Sequence, residues 1–232
     1  MNRADVMPAA HKVLAVCAHP DDESFGLGAI ISTLIDQGAS IDLVCLTHGE
    51  ASTLGASTGD LAAARRSELA AAATELGIST IHQFDHPDGQ LSTVDPGLLA
   101  KAIQPFAADS DLILVFDEGG ITGHPDHIQA TAAAMAVADR LDLPVLAWTL
   151  SSQVADALNG EFNGRFVGRA ENEIHVRLPV ERNRQRAAMR CHDSQLTGNP
   201  VPERRLALTG DIEPLRFLRR PNSTTHTKGA TD

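Results

Sequence analysis

Val13-Leu14-Ala15-Val16-Cys17-Ala18-His19-Pro20-Asp21-Asp22-Glu23-Ser24 decides how the rest of the chain is read. Its first five residues are uniformly apolar, as in a strand, and the small-residue, apolar segment from Phe25 to Ile35 reads as a helix. The polar string between them is the turn at the C-terminal end of a strand, where open α/β sheets carry their chemistry. Crowding three carboxylates beside one imidazole within His19–Glu23 costs repulsion that a divalent cation or a proton would relieve.

A second cluster, Gly123-His124-Pro125-Asp126-His127, follows another strand-like run, Asp111 to Phe116, and the loop Asp117-Glu118-Gly119-Gly120. With Pro125 in the first turn of the next helix, His124 and His127 lie three apart at its mouth and can point to the same side. Ligands from both strand ends would complete a site.

Between and beyond these clusters the chain alternates strand and helix. The first helix is expected over about Glu23 to Gln37, a β-branched strand over Ser40 to Thr47, and an alanine-rich helix over Leu61 to Leu76 stopped by Gly77. A strand over Ile78 to Phe84, a helix from about Asp95 to Ala107, a helix over about Asp126 to Arg140 and a strand over Pro144 to Trp148 follow. This pattern predicts an α/β fold: a Rossmann-like, doubly wound, mostly parallel sheet with helices on both faces, in a single domain over residues 1–220. In the common strand order the first and fourth strands are neighbours at the switch point, so the two His clusters would face each other. Gly49 to Asp60 lacks periodicity and reads as a loop long enough to lie over a site. Beyond Ser151, short strands are expected at Arg165 to Val167 and Glu173 to Val180, a helix at Glu181 to Cys191, and an ill-defined segment around Leu215 to Leu218. Residues 221–232 have the composition of a disordered tail.

At 232 residues, 43% hydrophobic and 21% charged, the chain can bury a real core without disulfides or an oligomer, although a homo-oligomer is compatible with it. A net charge of -11 argues against nucleic acid and anionic membrane as partners and suits a small-molecule substrate. Cys17 and Cys45 lie in apolar strands as ordinary core thiols. There is no apolar leader, and no stretch approaches the roughly 20 apolar residues of a membrane span, so a cytoplasmic location is expected.

The pair of strand-terminal motifs, Ala-His-Pro-Asp-Asp-Glu at 18–23 and Gly-His-Pro-Asp-His at 123–127, resembles the LmbE-like, or PIG-L-like, family of zinc-dependent de-N-acetylases. The resemblance extends to Thr47-His48-Gly49-Glu50, Arg65-x-x-Glu68-Leu69 and His192-x-Ser194-Gln195, and so runs from about Lys12 to about Leu218. It implies a single zinc ion, or another divalent metal, on His19, Asp22 and His127. Asp21 would be the general base, and His124 a protonated imidazole that stabilises the oxyanion or protonates the departing amine. Asp126 would orient an imidazole or cap its helix. Arg65, oriented by Glu68, would contact the substrate, with Asp88 at the pocket rim and His192 completing the pocket. The implied substrate is a small, glycosidic amide containing N-acetylglucosamine. One departure stands out: some members carry a tyrosine just before the second motif, whereas this chain has no tyrosine and places Ile121-Thr122 there.

Two other functions fit the same metal ligands: an amidase of thiol conjugates, and a metal sensor in which Asp21 and His124 are idle. A nucleotide-binding module does not fit, because Ala18 to Phe25 contains no glycine. His86-Pro87-Asp88 repeats the His-Pro-Asp string but runs into glycine, the signature of a turn, and is not read as a metal site.

Overall fold

Residues Lys12–Cys17 form β1, an interior strand of a seven-stranded sheet in the computed structural model, which describes residues 7–54 and 59–220. The other strands are β2 (Ser40–Thr47), β3 (Thr80–His86), β4 (Leu112–Phe116), β5 (Val145–Trp148), β6 (Leu150–Ser151), β7 (Gly168–Arg169), β8 (Val176–Pro179) and β9 (Ile212–Arg219). The sheet order is β3-β2-β1-β4-β5-β9-β8, with β6 and β7 forming a separate two-stranded pair. The first five strands in that order are mutually parallel, whereas β9 runs antiparallel to both β5 and β8. The expected doubly wound, mostly parallel sheet is therefore present, with β1 and β4 adjacent where the order reverses.

The helices are α1 (Asp22–Phe25), α2 (Gly28–Asp36), α3 (Leu61–Leu76), α4 (Pro96–Ala107), α5 (Gly120–Gly123), α6 (Pro125–Leu141), α7 (Ser152–Phe162), α8 (Asn183–Cys191), α9 (Asp193–Leu196) and α10 (Val201–Thr209). Side chains of β1 alternate between two core layers, as the two-residue period of a strand requires. Val13, Ala15 and Cys17 pack with α2, α3, α7 and α8, while Leu14 and Val16 pack with α4 and α6.

Several boundaries differ from expectation for local reasons. The single helix expected over 23–37 is broken: the Asp22 carbonyl accepts from both Gly26 and Leu27 N–H, so one residue is extruded between α1 and α2. The short strand expected at 165–167 lies at Gly168–Arg169, because the Phe166 backbone is taken by the Asn159 side-chain amide. The ill-defined C-terminal segment is the full strand β9, inserted between β5 and β8. The tail expected at 221–232 lies outside the described residues, as do 55–58 of the loop expected over the site. Among the described residues no helix is long and apolar enough to cross a membrane.

Candidate active site

At the end of β1 the chain turns sharply into α1, and Asp21 takes a positive φ of 113°, a conformation that costs a non-glycine residue energy and recurs at functional sites. The turn brings His19 and Asp22 to one point. His127, on the first turn of α6 after β4, reaches the same point from the neighbouring strand. His19 Nδ1 lies 3.2 Å from His127 Nε2, His127 Nε2 lies 3.1 Å from Asp22 Oδ1, and His19 Nδ1 lies 3.8 Å from Asp22 Oδ2. Around a tetrahedral ion with nitrogen and oxygen ligands at about 2.0–2.1 Å, neighbouring donor atoms sit about 3.4 Å apart. The spacing of this triad fits such an ion.

The outer contacts decide which atoms face inward. His19 Nε2 is 3.0 Å from Asp88 Oδ1 and 3.3 Å from Asp126 Oδ2, so the ring holds a proton there. His127 Nδ1 is 3.2 Å from the Gly120 carbonyl, which can only accept. With a cation in place of the proton these groups otherwise share, both inward nitrogens would act as lone-pair donors, the arrangement that orients metal-binding imidazoles. Asp22 Oδ2 accepts from the Ala18 and His19 N–H groups at 3.1 and 3.0 Å, which fixes the carboxylate with its other oxygen toward His127.

Charge reinforces the geometry. Burial opposes a positive His19, but hydrogen bonds to Asp126 and Asp88, with the fields of Asp22 and Asp21, outweigh it and raise its pKa to about 10. Burial also opposes a charged Asp22, yet the imidazoles of His127 and His19 hold its carboxyl below the usual carboxylate range. The cluster calls for positive charge at its centre.

Asp21 stands beside the triad, and burial pushes its carboxyl up to about 6 against the pull of Arg65, with the Asp22 charge adding to the rise. Its Oδ2 accepts from Arg65 Nη2 at 2.8 Å, and its N–H donates to Glu23 Oε2 at 2.9 Å. Arg65 also donates to the carbonyls of Pro20 and Gly49. Gly49 is required: its φ is 65°, and a Cβ there would stand 2.1 Å from Arg65 Nη1.

These contacts revise several expectations. Arg65 lines the cavity, but it is buried and tied to Asp21 and two carbonyls. Glu68 does not orient it; its carboxylate takes the Ser194 N–H and Oγ at 2.9 and 2.7 Å, joining α3 to α9. His192 lies outside the cavity lining, fully buried on Glu23 Oε1 at 2.6 Å, because the acid at the end of the first motif needs a partner inside the fold. Burial opposes its protonation, and Glu23 overcomes that and raises its pKa. Asp88 reaches past the rim to His19 and also accepts from the Ala51 N–H at 2.9 Å. Asp126, fully buried, holds His19 and accepts from the Gly89 and Leu91 N–H groups, so it orients an imidazole.

His124 is the N-cap of α6, its Nδ1 accepting from the Asp126 N–H at 3.2 Å. That leaves its single proton on Nε2, and burial, with the fields of His127 and His19, lowers its pKa. In this geometry Nε2 is the atom free to donate, and the lowered pKa runs against the protonated imidazole expected from the sequence. In the tyrosine's place stand Ile121, with a φ of 63°, and Thr122, and both line the cavity.

The cavity has a volume of about 580 Å³ and runs from this cluster along Phe116 and Trp148. Sequence reasoning missed two features: Glu23, buried behind the cavity, as the support of Asp21, although it closes the first motif, and the cavity's aromatic wall, whose members come from distant segments.

The model of the family described as GlcNAc-PI de-N-acetylase (PIG-L) matches residues 14–138. The chain is 34% identical over 137 residues to the probable N-acetylglucosaminyl-phosphatidylinositol de-N-acetylase of Schizosaccharomyces pombe, covering 56% of this chain and 52% of that one, about half its length. It is 30% identical over 240 residues to the 1D-myo-inositol 2-acetamido-2-deoxy-alpha-D-glucopyranoside deacetylase of Salinispora arenicola, covering 81% of this chain and 77% of the relative. The fold is shared with N,N'-diacetylchitobiose deacetylase from Pyrococcus horikoshii, at a TM-score of 0.67 and 21% identity over 90% of this chain and 84% of that one. With the family match spanning more than half of the chain and both strand ends that build the cluster, this protein belongs to the PIG-L, or LmbE-like, de-N-acetylase family.

Proposed function

We propose that this chain is a metal-dependent amide hydrolase that removes an N-acetyl or related N-acyl group from a small molecule containing N-acetylglucosamine. The observation that carries the reading is the convergence of His19 Nδ1, Asp22 Oδ1 and His127 Nε2, with Asp21 alongside and the His124 ring 4.9 Å from His127. Two imidazoles and a carboxylate suit zinc. A divalent ion held there supplies Lewis acidity, which makes water a nucleophile near neutral pH.

The side chains around it divide the proton work. Asp21 takes a proton from the attacking water, held in place by Arg65 and by Glu23 through its backbone. Nε2–H of His124 donates to the carbonyl oxygen as negative charge develops on it, and as a neutral donor it can do so without losing its proton. The proton on Asp21 then passes to the departing nitrogen, so the amine leaves neutral and the carboxylate is restored. Asp126 and Asp88 keep the His19 ring turned throughout.

The free thiols of Cys17, Cys45 and Cys191 suit a reducing, cytoplasmic setting. The test is release of free amine from a panel of N-acetylglucosaminyl small molecules by metal-stripped protein, with and without zinc. Zinc-dependent release is expected. Tight zinc binding with no release from any member would instead favour the sensor.

A further inference from the structure

The cavity wall away from the cluster is apolar, built from Phe25, Phe116, Trp148, Leu150 and Phe166. It is continuous with the candidate ligands: the Phe116 ring lies 4.8 Å from that of His127, and Trp148 lies 4.9 Å beyond Phe116. Trp148 turns its only polar atom away, donating Nε1–H to the buried Glu213 at 3.0 Å. Gly26 lets the wall stand this close to α1, since a Cβ there would meet Phe116 at 2.5 Å and Trp148 at 2.9 Å.

Three polar side chains bordering this wall, those of Gln195, Asn199 and Arg205, are already engaged within the protein. Gln195 accepts from Ser52 Oγ and donates to Ser194. Asn199 donates to the Gln195 carbonyl and accepts from the Val201 N–H. Arg205 is bound to Glu213 and to the Phe25 carbonyl, with its guanidinium 5.1 Å over the Trp148 ring. Against the aromatic face itself a polyol would meet side chains that are apolar or already bonded, whereas an apolar group gains by leaving water.

The geometry points to a substrate with a hydrophobic arm: the wall receives an alkyl or aryl group carried by the amide, either as its acyl chain or on the sugar aglycone. This rests on the hydrolase reading above and narrows its substrate class to an amphiphilic amide.

Trp148 is the only tryptophan in the chain and stands in the wall, so its fluorescence reports occupancy independently of turnover. Two probe series are titrated into the zinc-loaded full chain: methyl, butyl and octyl glycosides of N-acetylglucosamine, and N-acetyl, N-butanoyl and N-octanoyl glucosamine. Amine release is measured in parallel. In one series affinity is expected to rise about fourfold per methylene over the first additions, the value of burying one such group, and that series identifies which side of the amide carries the arm. Val201→Phe, which narrows the cavity, is expected to flatten that slope while melting with the parent; where the variant does not fold, the parent slope decides alone. Affinity that is flat or falls with length in both series overturns the inference, and amine release alongside it leaves the hydrolase reading standing. A length-dependent signal with no amine from any probe keeps the wall's preference and overturns the hydrolase reading instead.

Discussion

Asp21 combines an unfavourable backbone, a half-buried carboxylate and a guanidinium partner in Arg65, the combination expected of a group held ready to take a proton. Asp21→Asn is expected to lower kcat/KM by about 10²–10⁴ while bound zinc, measured by atomic absorption, is unchanged. Because burial pushes Asp21 up to about 6 and a bound cation can only lower it, kcat/KM of the parent should fall tenfold per pH unit on the acid side, with an inflection no higher than about 6. Gly49→Ala tests the next link. The added methyl displaces Arg65 and strains the backbone, and we expect at least a tenfold loss of turnover with zinc stoichiometry retained.

At the scale of elements, α8 is fastened to α1 by the buried Glu23–His192 pair. Removing one partner strands the other, so His192→Ala should cost about 3–5 kcal/mol in urea unfolding, whereas His192→Gln, which keeps a donor for Glu23, should cost clearly less. The two supporting strands of the site were legible because their apolar runs end abruptly in polar strings, and a parallel order places such ends together. For Asp126 the sequence left two roles open, orienting an imidazole or capping its helix, and the ring it contacts, His19, belongs to the other motif. What was not legible depended on contacts between distant segments. The spacing of Arg65 and Glu68 suggested a helical pair, but Arg65 turns inward to Asp21 and Glu68 sideways to Ser194. His192 was expected in the pocket on the family resemblance of its motif; the buried acid it meets lies 169 positions earlier. The antiparallel direction of β9 has no local signal, since strand composition is blind to direction.

For the molecule as a whole, the cluster is a stability element as well as a site. Zinc at about a hundredfold over its dissociation constant should stabilise the fold by about 2.7 kcal/mol, and the resulting rise in melting temperature should vanish in His127→Ala. Acid should act elsewhere too. Burial raises Asp117, but Arg169, the Gly119 N–H and Arg216 outweigh it and hold its carboxyl below the ordinary 3.8. Its contribution is therefore fully present above that value and is lost as pH falls through the lower folded one. The stability gap between parent and Asp117→Asn, about 2 kcal/mol at neutral pH, should shrink only below about pH 4. The strand order has one last consequence, for the history of the chain. His19 and His127 lie 108 residues apart, and closing a flexible loop of that length costs about 4 kcal/mol of entropy. The ligands meet only where β4 lies against β1, and three crossovers, by way of β2 and β3, separate those strands along the chain. A chain in which β4 has not reached β1 should therefore hold a metal only weakly, and tight binding followed during refolding should appear with the assembled sheet, as a mark of its correct order.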